Sequence, residues 1–172
     1  MKILKNNEFF NYLKGLILNA KENIILDYYV IDITDLKVKE IFNIIELKKT
    51  ELDNVYIFIG GVEDAEALYT NCFVFMNYKK SLKESLQFFK RQSHTKLALI
   101  DNVLLIGSHN LTSSSSDNIS VAEKIDIETK KQLLEDLKKK EKLDNKTVEN
   151  LCKVVTMRRP SRRKSPYNVF VS

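Results

Sequence analysis

The chain has 172 residues, 44% apolar and 30% charged, with four Gly, two Pro and no Trp, a profile that fits one globular domain and excludes a wholly disordered chain, a collagen-like chain or a disulfide scaffold. Its formal charge of +5 is unevenly spread: from Leu151 onward there are six bases and no acid, which leaves 22 bases against 23 acids in residues 1–150. The globular part is therefore close to neutral, and the excess charge belongs to a terminal arm carrying Arg158, Arg159, Arg162, Arg163 and Lys164, a footprint of nucleic-acid contact.

In chain order, Asn7 to Lys21 spaces Phe9, Phe10, Leu13, Leu16 and Ile17 along one helical face. Asn23 to Ile31 is an apolar run broken only by Asp27, as in a strand covered on both faces. Leu36 to Lys49 repeats the helical spacing, and Val55 to Ile59 is a second apolar strand stopped by Gly60-Gly61. This βαβ unit behind a helix predicts a layered α/β domain. Glu63 to Arg91 is mostly helical in pattern, with Leu82, Leu86 and Phe89 on one side, while Tyr69 to Tyr78 fits a helix or a strand. His94 to Ile100, the turn signal Asp101-Asn102 and Val103 to Ile106 form a hairpin. A polar Ser113–Ser116 loop, a strand near Ile119–Ile125, a Lys/Glu-rich helix from Glu128 to Leu143 and a short helix over Thr147–Val155 complete the domain. The boundaries expected are 1–156 for the folded domain and 157–172 for a basic, flexible arm.

Cys72 and Cys152 stand in no CxxC or Cys/His grouping, so they carry no metal-site spacing and read as reduced thiols. The first residues show neither the apolar run nor the cleavage site of a signal peptide, and no stretch approaches the roughly 20 apolar residues of a membrane span. The expectation is a cytoplasmic protein with no membrane partner.

Chemistry concentrates in His94-Thr-Lys96-Leu-Ala-Leu-Ile-Asp101, followed by Gly107-Ser108-His109-Asn110. Strand alternation projects His94 and Lys96 together, and the return strand delivers Ser108 and Asn110 to the same end of the hairpin. An imidazole, an ammonium, a hydroxyl and a carboxamide suit a phosphate diester: Lys96 supplies charge, Ser108 and Asn110 supply donors, and His94 supplies a nucleophile or proton carrier. His109 reads as neighbouring architecture.

This pattern, His-x-Lys-x4-Asp followed by Gly-Ser-x-Asn, resembles the signature of the phospholipase D superfamily at His94, Lys96, Asp101, Gly107, Ser108 and Asn110. The resemblance implies a layered α/β/α sandwich with a mixed central sheet. It also implies metal-independent, cofactor-free hydrolysis of a phosphodiester, in which one histidine forms a phosphohistidine and a second protonates the leaving oxygen. Two motifs make such a site and this chain holds one, so the expectation is a homodimer with one His94 from each subunit. In this scheme His94, Lys96 and Asp101 form the catalytic group, with Asp101 orienting or balancing charge, and Lys96, Ser108 and Asn110 hold the phosphate. The family often places a Glu after the second segment, in an Asn-x-Glu arrangement that orients the histidine; here Asn118-Ile119-Ser120 offers Ser120, with Asp117 and Glu123 nearby. Motif and arm together favour an endonuclease acting on DNA or RNA. The alternatives are a restriction endonuclease catalytic subunit, a lipid phosphodiesterase, and a nucleic-acid-binding module with little activity.

Overall fold

The structure, a computed structural model, describes residues 1–112 and 117–158. Arg159, Arg162, Arg163, Lys164 and the Ser113–Ser116 loop lie outside the described residues. The chain runs β1 (Lys2–Lys5), α1 (Asn7–Leu18), β2 (Asn23–Tyr28), α2 (Leu36–Lys48), β3 (Asn54–Ile59), α3 (Ala65–Tyr78), β4 (Leu86–Phe88), β5 (Leu97–Ile100), β6 (Val103–Gly107), β7 (Ile119–Lys124), α4 (Ile127–Lys139) and α5 (Asn145–Met157).

The strands form one mixed sheet in the order β1-β7-β6-β5-β2-β3-β4. β2, β3 and β4 are parallel; β5, β6, β7 and β1 follow as an antiparallel meander. Helices cover both faces unequally. On one face, α1 (Phe9, Leu13, Ile17), α2 (Val38, Phe42, Ile45), α3 (Leu68, Phe75) and α5 (Val148) bury the main core against Ile24, Leu26, Tyr28, Ile57 and Ala98. Each of the larger apolar side chains contributes roughly 1.5–3 kcal/mol on burial. On the other face, among the described residues, α4 alone packs on the sheet, with Leu137, Leu133 and Leu134 over Ile25, Phe58, Phe89 and Leu99. The expected layered α/β/α sandwich with a mixed sheet is the architecture found, with four helices against one.

Four details depart from the sequence pattern or resolve it. Tyr69 to Tyr78 is helical, because Asp64 caps α3 by accepting from the N–H groups of Glu66 and Ala67, and Leu68, Asn71, Cys72 and Phe75 then share a buried face. The helix stops before Leu86: Leu86 and Phe88 are buried and Gln87 is not, a period of two that adds β4 to the edge of β3. β1 carries no sequence signal beyond Ile3-Leu4 between lysines, yet pairs with β7. The two cysteines are joined: Cys72 on α3 and Cys152 on α5 form a disulfide, with Cα atoms 5.2 Å apart at a sequence separation of 80. This corrects the reading of reduced thiols, since the packing of α3 on α5 sets the pairing and no local spacing announces it. Among the described residues, no helix is long and apolar enough to cross a membrane.

Candidate active site

Strand directions bring the His94–Lys96 and Ser108–Asn110 segments to one end of the sheet. Tyr28 and Ile59 are register partners at the carboxyl ends of β2 and β3, and Asp27 pairs with Leu97, so β5 begins where β2 finishes. Leu97 in turn pairs with Ile106, so β6 finishes there as well. His94 and Lys96 enter this end just ahead of β5, and Ser108, His109 and Asn110 leave it just after β6. It is the end of a parallel α/β sheet at which ligands bind. Two glycines allow the close passage of backbone: a Cβ on Gly60 would run into the carbonyl of Ser93, and one on Gly107 into that of Ile119.

The expected strand does not extend over His94 and Lys96; they form an irregular lead-in to β5, and Tyr29 sets their relation instead. The exposed His94 ring stacks on the Tyr29 ring with centroids 4.5 Å apart and planes 23° from parallel. The Lys96 ammonium donates to the His94 carbonyl at 3.0 Å and lies 5.6 Å from the Tyr29 ring centroid. Tyr29 is itself anchored. Its hydroxyl donates to Asp64 at 3.0 Å and accepts from Gln92 at 3.4 Å, and burial together with Asp64 pushes the phenol up, keeping it neutral. The Gln92 carbonyl accepts the N–H groups of Val62, Glu63 and Asp64 at 2.7–3.3 Å, fixing the loop after β3. Buried Asn71 accepts from Ile31 N–H and donates to the carbonyls of Tyr29 and Gly61, so the ends of β2 and β3 cannot splay. Asn110 accepts from Val30 N–H at 3.1 Å, one residue from Tyr29, and its amide nitrogen has no partner among the described residues. The site thus offers an accessible imidazole, an ammonium beside it and a carboxamide donor on the adjoining loop.

Other expected site residues lie elsewhere or serve other groups. Asp101 stands at the opposite end of β5, in the hairpin turn with φ 53°. Its carboxylate accepts from the backbone of Lys21, Glu22 and Asn23 at 2.8–3.1 Å. Burial acts against the charge, but those three N–H groups and Lys130 outweigh it and hold the carboxyl below its usual range. Asp101 is therefore corrected from a member of the catalytic group to a clamp on the turn between α1 and β2. Ser108 accepts from Ile119 N–H at 3.0 Å and donates to its carbonyl at 3.3 Å, so its hydroxyl ties β6 to β7.

Ser120 orients a histidine, but it is His109. Fully buried, His109 stacks on Phe9 at 4.3 Å, with Nε2 3.2 Å from the Asn6 carbonyl and Nδ1 2.7 Å from Ser120 Oγ. A carbonyl only accepts, so Nε2 carries the proton and Nδ1 accepts from the Ser120 hydroxyl. Burial lowers the His109 pKa, against the pull of the Asn6 carbonyl, so the ring is neutral, as suits a structural tie between α1 and the loop bearing Asn110. Ser120 is thus corrected as an orienting partner of His94. Glu123 is also corrected: it pairs with Leu104, three residues along β7 from Ser120, on the other face and about 10 Å further from the site. Asp117 is exposed beside the loop that lies outside the described residues. Arg158, the first arm residue, closes α5 by donating its N–H to the Val154 carbonyl. Among the described residues, no group of three or more His, Cys, Asp or Glu side chains could hold a metal ion.

Tyr29, Gln92, Asp64 and Asn71 are the residues the sequence pattern missed. The available signal was Tyr28-Tyr29 at a strand end, where alternation buries one ring and turns the next outward.

Comparison with known proteins bears on the fold and the family. Residues 13–141 match the family model described as the PLD-like domain of cardiolipin synthase. The chain is similar in structure to Nuc, a phospholipase D family member from Salmonella typhimurium, at 16% identity and a TM-score of 0.60, over 84% of this chain and 97% of that one. It is also similar to NucT from Helicobacter pylori, at 15% identity and a TM-score of 0.57, over 81% of this chain and 93% of that one. Phosphatidylserine synthase from Haemophilus influenzae gives 14% identity and a TM-score of 0.66 over 91% of this chain, which spans 42% of that longer protein. A search of curated protein sequences gave no match. With the family model matching most of the chain, the chain belongs to the phospholipase D-like family.

Proposed function

We propose that the protein is a homodimeric, metal-independent endonuclease that cleaves DNA or RNA through a phosphohistidine. The observation that carries the reading is the exposed His94 ring, fixed on Tyr29 with the Lys96 ammonium beside it. In the proposed reaction a His94 ring nitrogen bonds to phosphorus as the bond from phosphorus to the leaving oxygen breaks, and the partner's His94 gives that oxygen its proton. Water then attacks phosphorus, passes a proton to the partner's His94, and releases His94 by breaking the N–P bond. Lys96 and the amide of Asn110 hold the non-bridging oxygens.

A dimer is supported by the uncovered part of the α4 face. Leu97, Ile106, Val121 and Ile3 are successive register partners across β5, β6, β7 and β1 on that face. Beyond α4 this row opens to solvent, with Ile106 and Ile3 about half exposed. It begins at the end of β5 next to the site, where a two-fold axis would bring two His94 side chains together.

The test is cleavage of single- and double-stranded DNA and RNA, alongside a phospholipid, in excess EDTA. Nucleic acid should be cut, with His94→Ala losing at least about a thousandfold in rate while His109→Ala keeps cleavage in whatever fraction stays folded. A strict requirement for Mg²⁺, or cleavage of the lipid alone, refutes the proposal.

A further inference from the structure

Beside His94 the chain forms a second feature that the reaction above does not use. Residues 89–93, leaving β4, run next to residues 139–142, leaving α4. Lys90 N–H donates to the Glu141 carbonyl at 2.9 Å, Leu143 N–H donates to the Phe88 carbonyl at 2.9 Å, and Phe89 bridges to Lys142. Between them lies a groove of about 430 Å³ whose walls include Phe89, Arg91, Ser93, Lys139 and Lys140.

The charge in this groove is one-sided. Its carboxylate, Glu141, is paired with Lys90 at 3.3 Å. Arg91, Lys139 and Lys140 are exposed and have no ion-pair partner among the described residues. Lys140 lies 4.9 Å over the Phe89 ring centroid, with its ammonium 3.5 Å from Ser93 Oγ. Ser93 directly precedes His94, so this ammonium sits one residue from the nucleophile. Lys142 increases the crowding of cations: its ammonium caps the last turn of α4, donating to the carbonyls of Leu137 and Lys138 at 2.8 Å each. Burial, then Lys138 and Lys140, pull its pKa down, as expected where positive charge is concentrated.

Three cations without an ion-pair partner among the described residues, only Lys140 of them also acting on a carboxylate, the buried Asp27, surround a groove whose wall includes Ser93, the residue before His94, and call for an anion. We infer that the groove is a second phosphate subsite, taking the phosphodiester next to the scissile one on a nucleic acid strand, with Arg91 as the two-pronged donor and Lys139 and Lys140 as point charges. The inference rests on the nucleic-acid reading of the site and adds a requirement to it. A substrate with one phosphodiester, whether a small aryl ester or a simple phospholipid, cannot reach the subsite, whereas an oligonucleotide can.

The test compares the full chain with its Arg91→Gln/Lys139→Gln/Lys140→Gln variant on two substrates in EDTA: bis(p-nitrophenyl) phosphate and a fluorescent 12-nucleotide single-stranded DNA. Arg91→Gln alone serves as the milder variant. The expected result is a loss in kcat/KM of about tenfold or more on the oligonucleotide, carried by KM, with at most about a twofold change on the aryl ester. In the His94→Ala background, the log–log salt slope of oligonucleotide binding should fall by about 0.7 for one lost phosphate contact. Equal losses on both substrates would assign these residues to folding or to the chemical step, and unchanged oligonucleotide kinetics with an unchanged slope would leave the groove without a phosphate; either overturns the inference. Loss of binding to phosphatidylglycerol vesicles with unchanged oligonucleotide affinity would overturn it in favour of a membrane. Hydrolysis of the aryl ester by the unmodified chain with no cleavage or binding of any nucleic acid would instead refute the nucleic-acid reading on which it rests.

Discussion

Asp27 sits next to the last residue of β2 with its side chain buried and neither carboxylate oxygen hydrogen-bonded among the described residues. Burial raises its pKa to about 7, against the opposing pull of Lys140. A carboxyl that holds its proton more tightly when folded stabilises the fold fully below its ordinary value near 4, and loses that contribution as pH rises through 7. The whole change is on the order of 4 kcal/mol. Urea midpoints of the unmodified chain should therefore drop between pH 5 and 8, and Asp27→Asn should remove most of the drop; parallel curves would show that Asp27 does not titrate in this range. The same scale explains what the sequence could convey. His94, Lys96 and Asn110 were legible because the hairpin brings its lead-in and its exit to one end of the sheet, although Tyr29 rather than strand alternation sets how His94 and Lys96 meet. Asp101 and Ser120 were not, because their roles depend on partners distant in sequence: the α1–β2 turn for Asp101, and His109 with Asn6 for Ser120.

At the scale of elements, helices with a sustained apolar stripe and strands with continuous apolar runs could be read directly, as α1, α2, β2 and β3 show. The short edge strands could not. β1 and β4 have too few residues for a period to register, and each exists because a neighbouring strand offers an edge. The disulfide between α3 and α5 is likewise a product of packing. Closing about 80 residues, it should contribute about 2–4 kcal/mol. Cys72→Ser or treatment with a reductant should lower the thermal midpoint, while the kinetics of the proposed cleavage below that midpoint stay unchanged, since the pair is buried between α3 and α5. An unchanged midpoint would mean that the thiols are unpaired in solution.

For the whole molecule, the proposed function divides the work between the near-neutral domain, which would position the reacting groups, and the basic arm, whose charge would draw a polyanion without choosing the bond to be cut. The lopsided coverage of the sheet supplies the remaining feature, an apolar row that the described residues of one chain leave open. Ile106→Glu should shift the protein to a monomer by light scattering and abolish cleavage, because each half-site then lacks the partner's His94. An active monomer would remove the shared site from the account. The most direct measurement is intact mass after alkaline, denaturing quench of the protein during turnover of an oligonucleotide in EDTA. The account predicts a nucleotidyl adduct mapping to His94 and missing from His94→Ala. Cleavage that proceeds with no adduct on any histidine, or only when Mg²⁺ is restored, would contradict it.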